Sequence, residues 1–380
     1  AIRRALAIDD TLGEAYASLG LLKLARKQYA DAETAYKKAI ELNPNYATAS
    51  QWYAVHVGEF PWRLDEQMEL IRNAVELDPR SRVIATNLAT TYQNRGLYSL
   101  AERQFQKVIE LNPGSPQTHA LFASLYAYHM GRYVPALLHA LKAVEFDPGG
   151  MGPLSTLFDI YLDLGDLAAA ERVRERMSEL DANHALLGSA DVSLNLYKRN
   201  PAGTRESVNW LLPRIRDDLG ETMWQAANFL IVGDNDRARE IYLSAAPGWL
   251  DPDRWQDLLG LHSLHGCILP WVLINTGDAD LGRQLLQQAT TFHDEILPSV
   301  DEHADWSGVE LCHLTAGDTE KALQVVETHL AHNHLNDWQS FHQLPMYDLI
   351  RDEPRYQAAV AERERRIRAQ REAIEAGGTL

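Results

Sequence analysis

Histidine crowds the second half of the chain, at His262, His265, His293, His303, His313, His329, His332, His334 and His342. Two runs have ligand-like spacing: His262-x-x-His265-x-Cys267 and His329-x-x-His332-x-His334. Zinc needs three or four such donors converging at about 2.0–2.3 Å. Spacing alone does not bring donors together, and Gly266 interrupts regular geometry beside Cys267. The expectation is helix-surface and inter-repeat histidines, with no metal and no cofactor. His262, His265 and Cys267 are the candidate ligands if a metal is held.

Other chemistry finds little material. No Gly-rich phosphate loop, GxSxG, HExxH or CxxC occurs. Carboxylates are abundant, but charged residues on helices usually form a solvated face. Trp210, Trp224, Trp249, Trp255, Trp271, Trp306 and Trp338 are expected to fill gaps in packing. The arginines Arg363, Arg365, Arg366, Arg368 and Arg371 alternate with Glu362, Glu364 and Glu372, so local pairing along a helix is the economical account. The chain is therefore not expected to be an enzyme.

Charge narrows the partners. Lys+Arg is 36 against Asp+Glu 53, a formal charge of −17, which repels a phosphate backbone and argues against direct nucleic-acid binding. No run of 18 apolar residues is present, so no insertion into a membrane is expected from this segment. Two cysteines, Cys267 and Cys312, cannot make a disulfide framework. They fit a cytoplasmic setting, or a periplasmic one should a transmembrane segment precede this sequence. The chain opens at Ala1 inside a helical pattern, which is read as a piece of a longer protein.

The elements that carry these residues repeat. Pro44, Pro79, Pro113 and Pro148 stand 35, 34 and 35 residues apart, each after Asn or Asp. Similar stretches precede them: AYKKAIELNP, LIRNAVELDP, QFQKVIELNP and HALKAVEFDP. A period of 20–50 residues marks a repeat array. Apolar residues at helical spacing between the prolines make each unit two helices. The first helix offers a small residue (Gly20, Ala54, Ala89, Ala123). The second offers one early (Ala32, Ala101, Ala136, Ala170) and one late (Ala39, Ala74, Ala143). Such residues let paired helices approach. Leu19, Tyr53, Leu88 and Phe122 on the first helix, with Tyr36, Ile71 and Phe105 on the second, fill the spaces. Gly96, Gly131 and Gly165 fall at the turn between the two helices, where positive φ is useful.

This pattern resembles the tetratricopeptide repeat, a 34-residue helix–turn–helix unit. The stretch Arg82–Ser115 matches with Leu88-Ala89, Tyr92, Gly96, Tyr98, Ala101, Phe105 and Pro113, while Val108 replaces the last alanine. The resemblance implies an all-α superhelical solenoid, here with a C-terminal capping helix. Residues 1–184 are expected to be regular repeats with a truncated first unit, 185–344 degenerate repeats with insertions, and 345–380 the cap. Gly233-Asp234, Gly277-Asp278 and Gly317-Asp318 mark further units, whereas 185–218 fit the template poorly. In the cap, Tyr356, Val360 and Ile367 are expected to face the stack.

The segments Asn45–Ala54 and Leu349–Tyr356 look more narrowly like the C-terminal repeat region of bacterial multidomain signalling proteins. In that group an effector precedes the repeats, commonly a ToxR/CadC-type winged helix or a class III adenylyl cyclase. The implied role is a non-catalytic, signal-input module that captures a protein or peptide in the concave groove. A small-molecule sensor with a pocket among residues 210–342, or an oligomerisation scaffold, are the alternatives. By the resemblance, the groove-facing positions are Gln51, Trp52 and Val55, then Thr86, Asn87, Thr90 and Asn94. Further along they are Leu121, Ser124 and Tyr128, then Thr156, Asp159 and Asp163. None is Lys or Arg, so a clamp for a C-terminal carboxylate is not expected. The wall would suit aromatic anchors or basic residues.

Overall fold

The computed structural model describes all residues except 27, 59, 61–62, 216–217, 246, 252–254, 256–262, 297–307, 336–341 and 378–380. The described residues form helices and turns and fall into two compact units. One is Ala1–Pro113; the other is Gly114–Ile296 with Trp306–Leu380.

The first unit holds α1 (Ile2–Ile8), α2 (Gly13–Leu24), α3 (Tyr29–Leu42), α4 (Ala47–Val57), α5 (Leu64–Leu77), α6 (Arg82–Asn94) and α7 (Tyr98–Leu111). From α2 onward the helices pack in sequential pairs, α2 on α3, α4 on α5 and α6 on α7. Every small residue named above at a pairing position is buried, from Ala32 and Ala39 to Ala101. The approach at Gly20 is the closest kind: a Cβ there would lie 2.6 Å from Cε1 of Tyr36, whose ring is fully buried. Leu19 departs from expectation, being only half-buried.

The second unit continues with α8 (Pro116–Ser124), α9 (Tyr133–Phe146), α10 (Met151–Asp163), α11 (Leu167–Leu180), α12 (Ala185–Tyr197) and α13 (Pro201–Leu211). Then come α14 (Leu219–Ile231), α15 (Asn235–Ala245), α16 (Ser263–Asn275), α17 (Ala279–Thr291), α18 (Val309–Ala316), α19 (Thr319–Ala331) and α20 (Pro354–Ala376). A π turn, Leu125–His129, extends α8, so Tyr128 sits off the regular helical register.

The proline period has a backbone cause. Asn43, Asp78, Asn112 and Asp147 leave their helices with φ between −136° and −148° and ψ between 78° and 84°. A residue before proline is pushed into this extended region. Asp181 takes φ −157° and ψ 96° with alanine after it, so the helix exit outlasts its proline signal.

That persistence explains the stretch 185–218. It folds as the pair α12–α13 in register with its neighbours. Gly131, Gly165 and Gly233 occupy the intra-pair turns with φ 55°, 74° and 75°. Between them, 34 residues from each neighbour, the position is Arg199, with φ 51°. The template fits poorly there because an arginine stands where the turn asks for glycine.

Tyr356, Ala359 and Ile367 of α20 are buried and Val360 is half-buried, as expected of a cap. The helix also reaches back to the start of its unit. Gln370 Nε2 donates to Gly131 O at 2.8 Å, and the backbone N–H of Tyr133 donates to Gln370 Oε1 at 2.6 Å. Asn333, between α19 and α20, donates to Met130 O at 2.6 Å. One helix thus joins the last described pair of the unit to the first.

Candidate functional site

The expected groove residues lie on the first helix of successive pairs. On α4, Val55 is 42% exposed, but Gln51 is 7% exposed and offers little side chain to a partner. Trp52 is half-buried and packs against two core clusters, one of Ala17, Ala39 and Ala49 and one of Ala32, Tyr36, Tyr53 and Val57. Its large ring therefore serves the core as well as the surface. On α6, Thr86, Asn87 and Thr90 are half-buried and Asn94 is exposed. Thr86 Oγ1 donates to Arg82 O at 2.9 Å and Thr90 Oγ1 to Thr86 O at 3.3 Å. Both hydroxyls keep lone pairs for another donor.

In the second unit, Leu121, Ser124, Tyr128, Thr156, Asp159 and Asp163 are all half-buried. Two tyrosine–carboxylate bonds organise this row. Tyr128 Oη donates to Asp159 Oδ2 at 3.4 Å, and Tyr133 Oη donates to Asp163 Oδ2 at 3.1 Å. Ser124 and Thr156 return their hydroxyls to Ala120 O and Gly152 O. The row thus sets two carboxylates beside tyrosine rings on neighbouring helices.

Two polar clusters escaped the sequence reading. In the first unit Arg63 bridges Glu33 on α3 to Glu66 on α5, at 2.8 Å to each. The Tyr53 hydroxyl on α4 lies 2.8 Å from Glu66 and 3.1 Å from Glu33, its single proton available to either carboxylate. The Arg63 hydrogen bond pulls the Glu33 carboxyl down to about 2, against the opposing effect of burial. Burial, followed by the Glu66 bond, pushes the Tyr53 phenol up. In the second unit, His119 on α8 and His139 on α9 meet through their Nδ1 atoms at 2.8 Å, with the rings stacked. Burial first, then the neighbouring His119, drives His139 down to about 4.

The metal candidates are rearranged. His262 lies outside the described residues. His265 Nδ1 meets Tyr242 Oη at 2.9 Å, inside the core. Cys267 is bonded to Cys312, so the pair counted as too few for a framework still makes one cross-link, between α16 and α18. His293 Nε2 is 3.3 Å from Cys267 Sγ. Cys267, His293 and Cys312 are the one ligand cluster found among the described residues, within 4.8 Å of one another. Metal binding needs thiolates, and the disulfide commits both sulfurs. Reduced, the trio supplies three donors, one short of a closed structural zinc set. His329, His332 and His334 make no such cluster: His329 stacks on His334, while His332 Nδ1 lies 2.9 Å from Thr328 O.

The tryptophans mostly pack. Trp249 and Trp255 are buried edge to face, and Trp210 lies over Gly188 with Arg214 on its ring. Trp271 lines a cavity of about 320 Å³ with Ile274, Leu314 and Met346. Trp306 and Trp338 lie outside the described residues. Along α20, Arg365 and Arg366 pair with Glu362 as expected. Arg363 departs from that expectation: it is buried and donates to a backbone carbonyl, that of Leu335.

Comparison with known proteins agrees with the helix pairs. The tetratricopeptide repeat family matches residues 13–46 and, separately, 84–115. The chain thus matches tetratricopeptide repeats at these two places, and its described helices pack in helix–turn–helix pairs of that type. No curated protein matches the sequence. Similar solved structures include one from the functional characterization of Pseudomonas aeruginosa pilF, 17% identical, covering 55% of this chain and 95% of that one, with TM-score 0.43. A thermophilic TPR protein of Thermus thermophilus, TTC0263, is 18% identical and covers 48% of this chain and 99% of its own, with TM-score 0.43. YrrB, described as a TPR protein with an unusual peptide-binding site, is 19% identical and covers 50% and 97%, with TM-score 0.36.

Proposed function

We propose that the chain is a non-catalytic module that binds a protein or peptide along the first helices of its repeats. Tetratricopeptide repeats typically mediate such binding. The observation that carries the reading here is the row of Tyr128–Asp159 and Tyr133–Asp163 bonds, in which the half-buried carboxylates of α10 lie beside aromatic rings. It suits an extended or helical segment bearing Lys or Arg, with affinity coming from a preformed surface and a few anchors. The regulatory setting belongs to the same reading: the module would receive a signal for an effector carried elsewhere.

Localisation follows from the cysteines. A closed Cys267–Cys312 bond supports the oxidising, periplasmic alternative over the cytoplasmic one, because cytosolic thiols are kept reduced. Among the described residues no helix is long and apolar enough to cross a membrane.

The test is capture of a library of basic and acidic peptides by the whole chain, compared with Asp159→Asn/Asp163→Asn. Basic peptides are expected to bind and to weaken at least about tenfold in the variant. Equal binding of acidic peptides, or an unchanged variant, overturns the reading.

A further inference from the structure

A cavity of about 470 Å³ opens in the second unit where α20 faces the α12–α13 turn. Three guanidinium groups line it: Arg199, Arg351 and Arg363. They are committed to very different degrees.

Arg351 is held from both sides, donating to His342 O at 2.7 Å and to Asp348 Oδ1 at 2.7 Å. Arg363 is 4% exposed. Its Nε donates to Leu335 O at 2.9 Å, while Nη2 has no hydrogen-bond partner and no described carboxylate forms an ion pair with it. The other α20 arginines show what this helix does when only structure is at stake. Arg355 pairs with Glu320 and Glu327, and Arg365 and Arg366 pair with Glu362. A buried cation without a counter-charge is costly, far more so than an exposed pair is beneficial. Its neighbour His342 is held well below its ordinary pKa, first by burial and then by Arg363 itself, which disfavours a second positive charge beside the guanidinium.

Arg199 adds an independent observation. Its backbone holds the left-handed φ of 51° that glycine fills in the flanking turns. A side chain at such a position is disfavoured, and residues retained there cluster at ligand contacts. This one places a third guanidinium at the cavity, and it forms no ion pair with a described carboxylate.

Two carboxylates, Asp352 and Glu364, also reach the lining. Both are exposed. Arg351 is already paired with Asp348, so Arg363 and Arg199 are the two guanidinium groups left to meet a ligand, which favours one oxyanion group rather than a polyanion. The remaining wall is the Tyr356 ring, stacked with His342, and Val360, which gives an apolar or planar body somewhere to rest.

We propose that this cavity binds a small organic oxyanion, a carboxylate or a phosphate monoester, whose charged end pairs with Arg363 and Arg199. From the Trp/His-rich stretch 210–342 the pocket takes Ile231 and His342 and none of the tryptophans; the rest of its lining comes from either side.

The experiment is calorimetric titration of the whole chain with inorganic phosphate and, separately, with succinate, at ionic strength matched with sodium chloride. Melting temperature is followed in parallel. At least one anion is expected to give saturable heat and to raise the melting temperature, since a ligand of the folded state stabilises it. The better of the two probes identifies phosphate or carboxylate as the preferred group. Arg199→Gly provides the control that folds: glycine relieves the positive φ, so the unliganded variant should melt no lower than the parent. Its anion affinity should fall about tenfold or more, as should that of Arg363→Gln. Three results overturn the proposal: no saturable heat from either anion, unchanged affinity in Arg199→Gly, or a melting shift of equal size in parent and Arg199→Gly. The last would mark a general salt effect.

Discussion

At the scale of single residues, contact geometry sets the consequences. Gly20 has no room for a methyl group over the Tyr36 ring, so Gly20→Ala should destabilise the first unit by about 1–3 kcal/mol through overpacking. Denaturant unfolding followed by circular dichroism measures this, and an unchanged midpoint would contradict the close approach. Two titrations act on different units. The folded pKa of Glu33 lies near 2, below its unfolded value of 4.5, so its contribution is present above 4.5 and is lost as pH falls toward 2. That contribution is on the order of 1 kcal/mol once screening is allowed for. Arg63→Met should remove it, flattening the acid limb of a stability–pH curve below 4.5. His139 is depressed to about 4 from 6.5, so the unfolded chain binds the extra proton across that window and stability declines as pH drops through it. His139→Gln should make the decline between pH 6.5 and 4 shallower; an identical slope would show that His139 does not titrate there.

At the scale of elements, the pairing of helices was legible because small and large residues alternate at fixed register. Ala32, Ala39, Ala54, Ala89 and Phe105 are all buried where the pattern places them. The pair α12–α13 was not legible, because its two strongest punctuation marks are gone. No proline follows Asp181, and Arg199 replaces the turn glycine. The groove positions were legible as positions but not as environments. Burial of Gln51 and the double packing of Trp52 depend on neighbouring repeats that no local spacing encodes. The cross-link between α16 and α18 was equally invisible, since Cys267 and Cys312 lie 45 residues apart and meet only through repeat stacking. Closing a loop of that length is worth about 4 kcal/mol in the chain-entropy account. Dithiol reduction, or Cys312→Ser, should therefore lower the melting temperature of the second unit measurably. A variant as stable as the oxidised parent would show that the bond contributes nothing.

At the scale of the whole molecule, an ordinary repeat array depends on nearest neighbours, so removing its last unit costs only that unit and one interface. The second unit should behave differently, because α20 contacts both its last helix pair and its first. Deleting residues 354–380 is expected to destabilise α8–α19 as a group, while α1–α7 keep their own transition. Hydrogen exchange resolved by peptide would report this as protection lost at Tyr133 and α9 as well as at α19; loss confined to α19 would contradict it. The same contact has a consequence in time. Gln370 and Tyr133 are 237 residues apart, so α20 is made long after the turn it meets. Protein synthesis at about 5–20 residues per second separates their emergence by tens of seconds. Throughout that interval the Gly131 turn waits with its carbonyl unclaimed by Gln370. The second unit is thus obliged to finish folding only once α20 has been made, and any earlier nascent intermediate exposes the surface that α20 will cover.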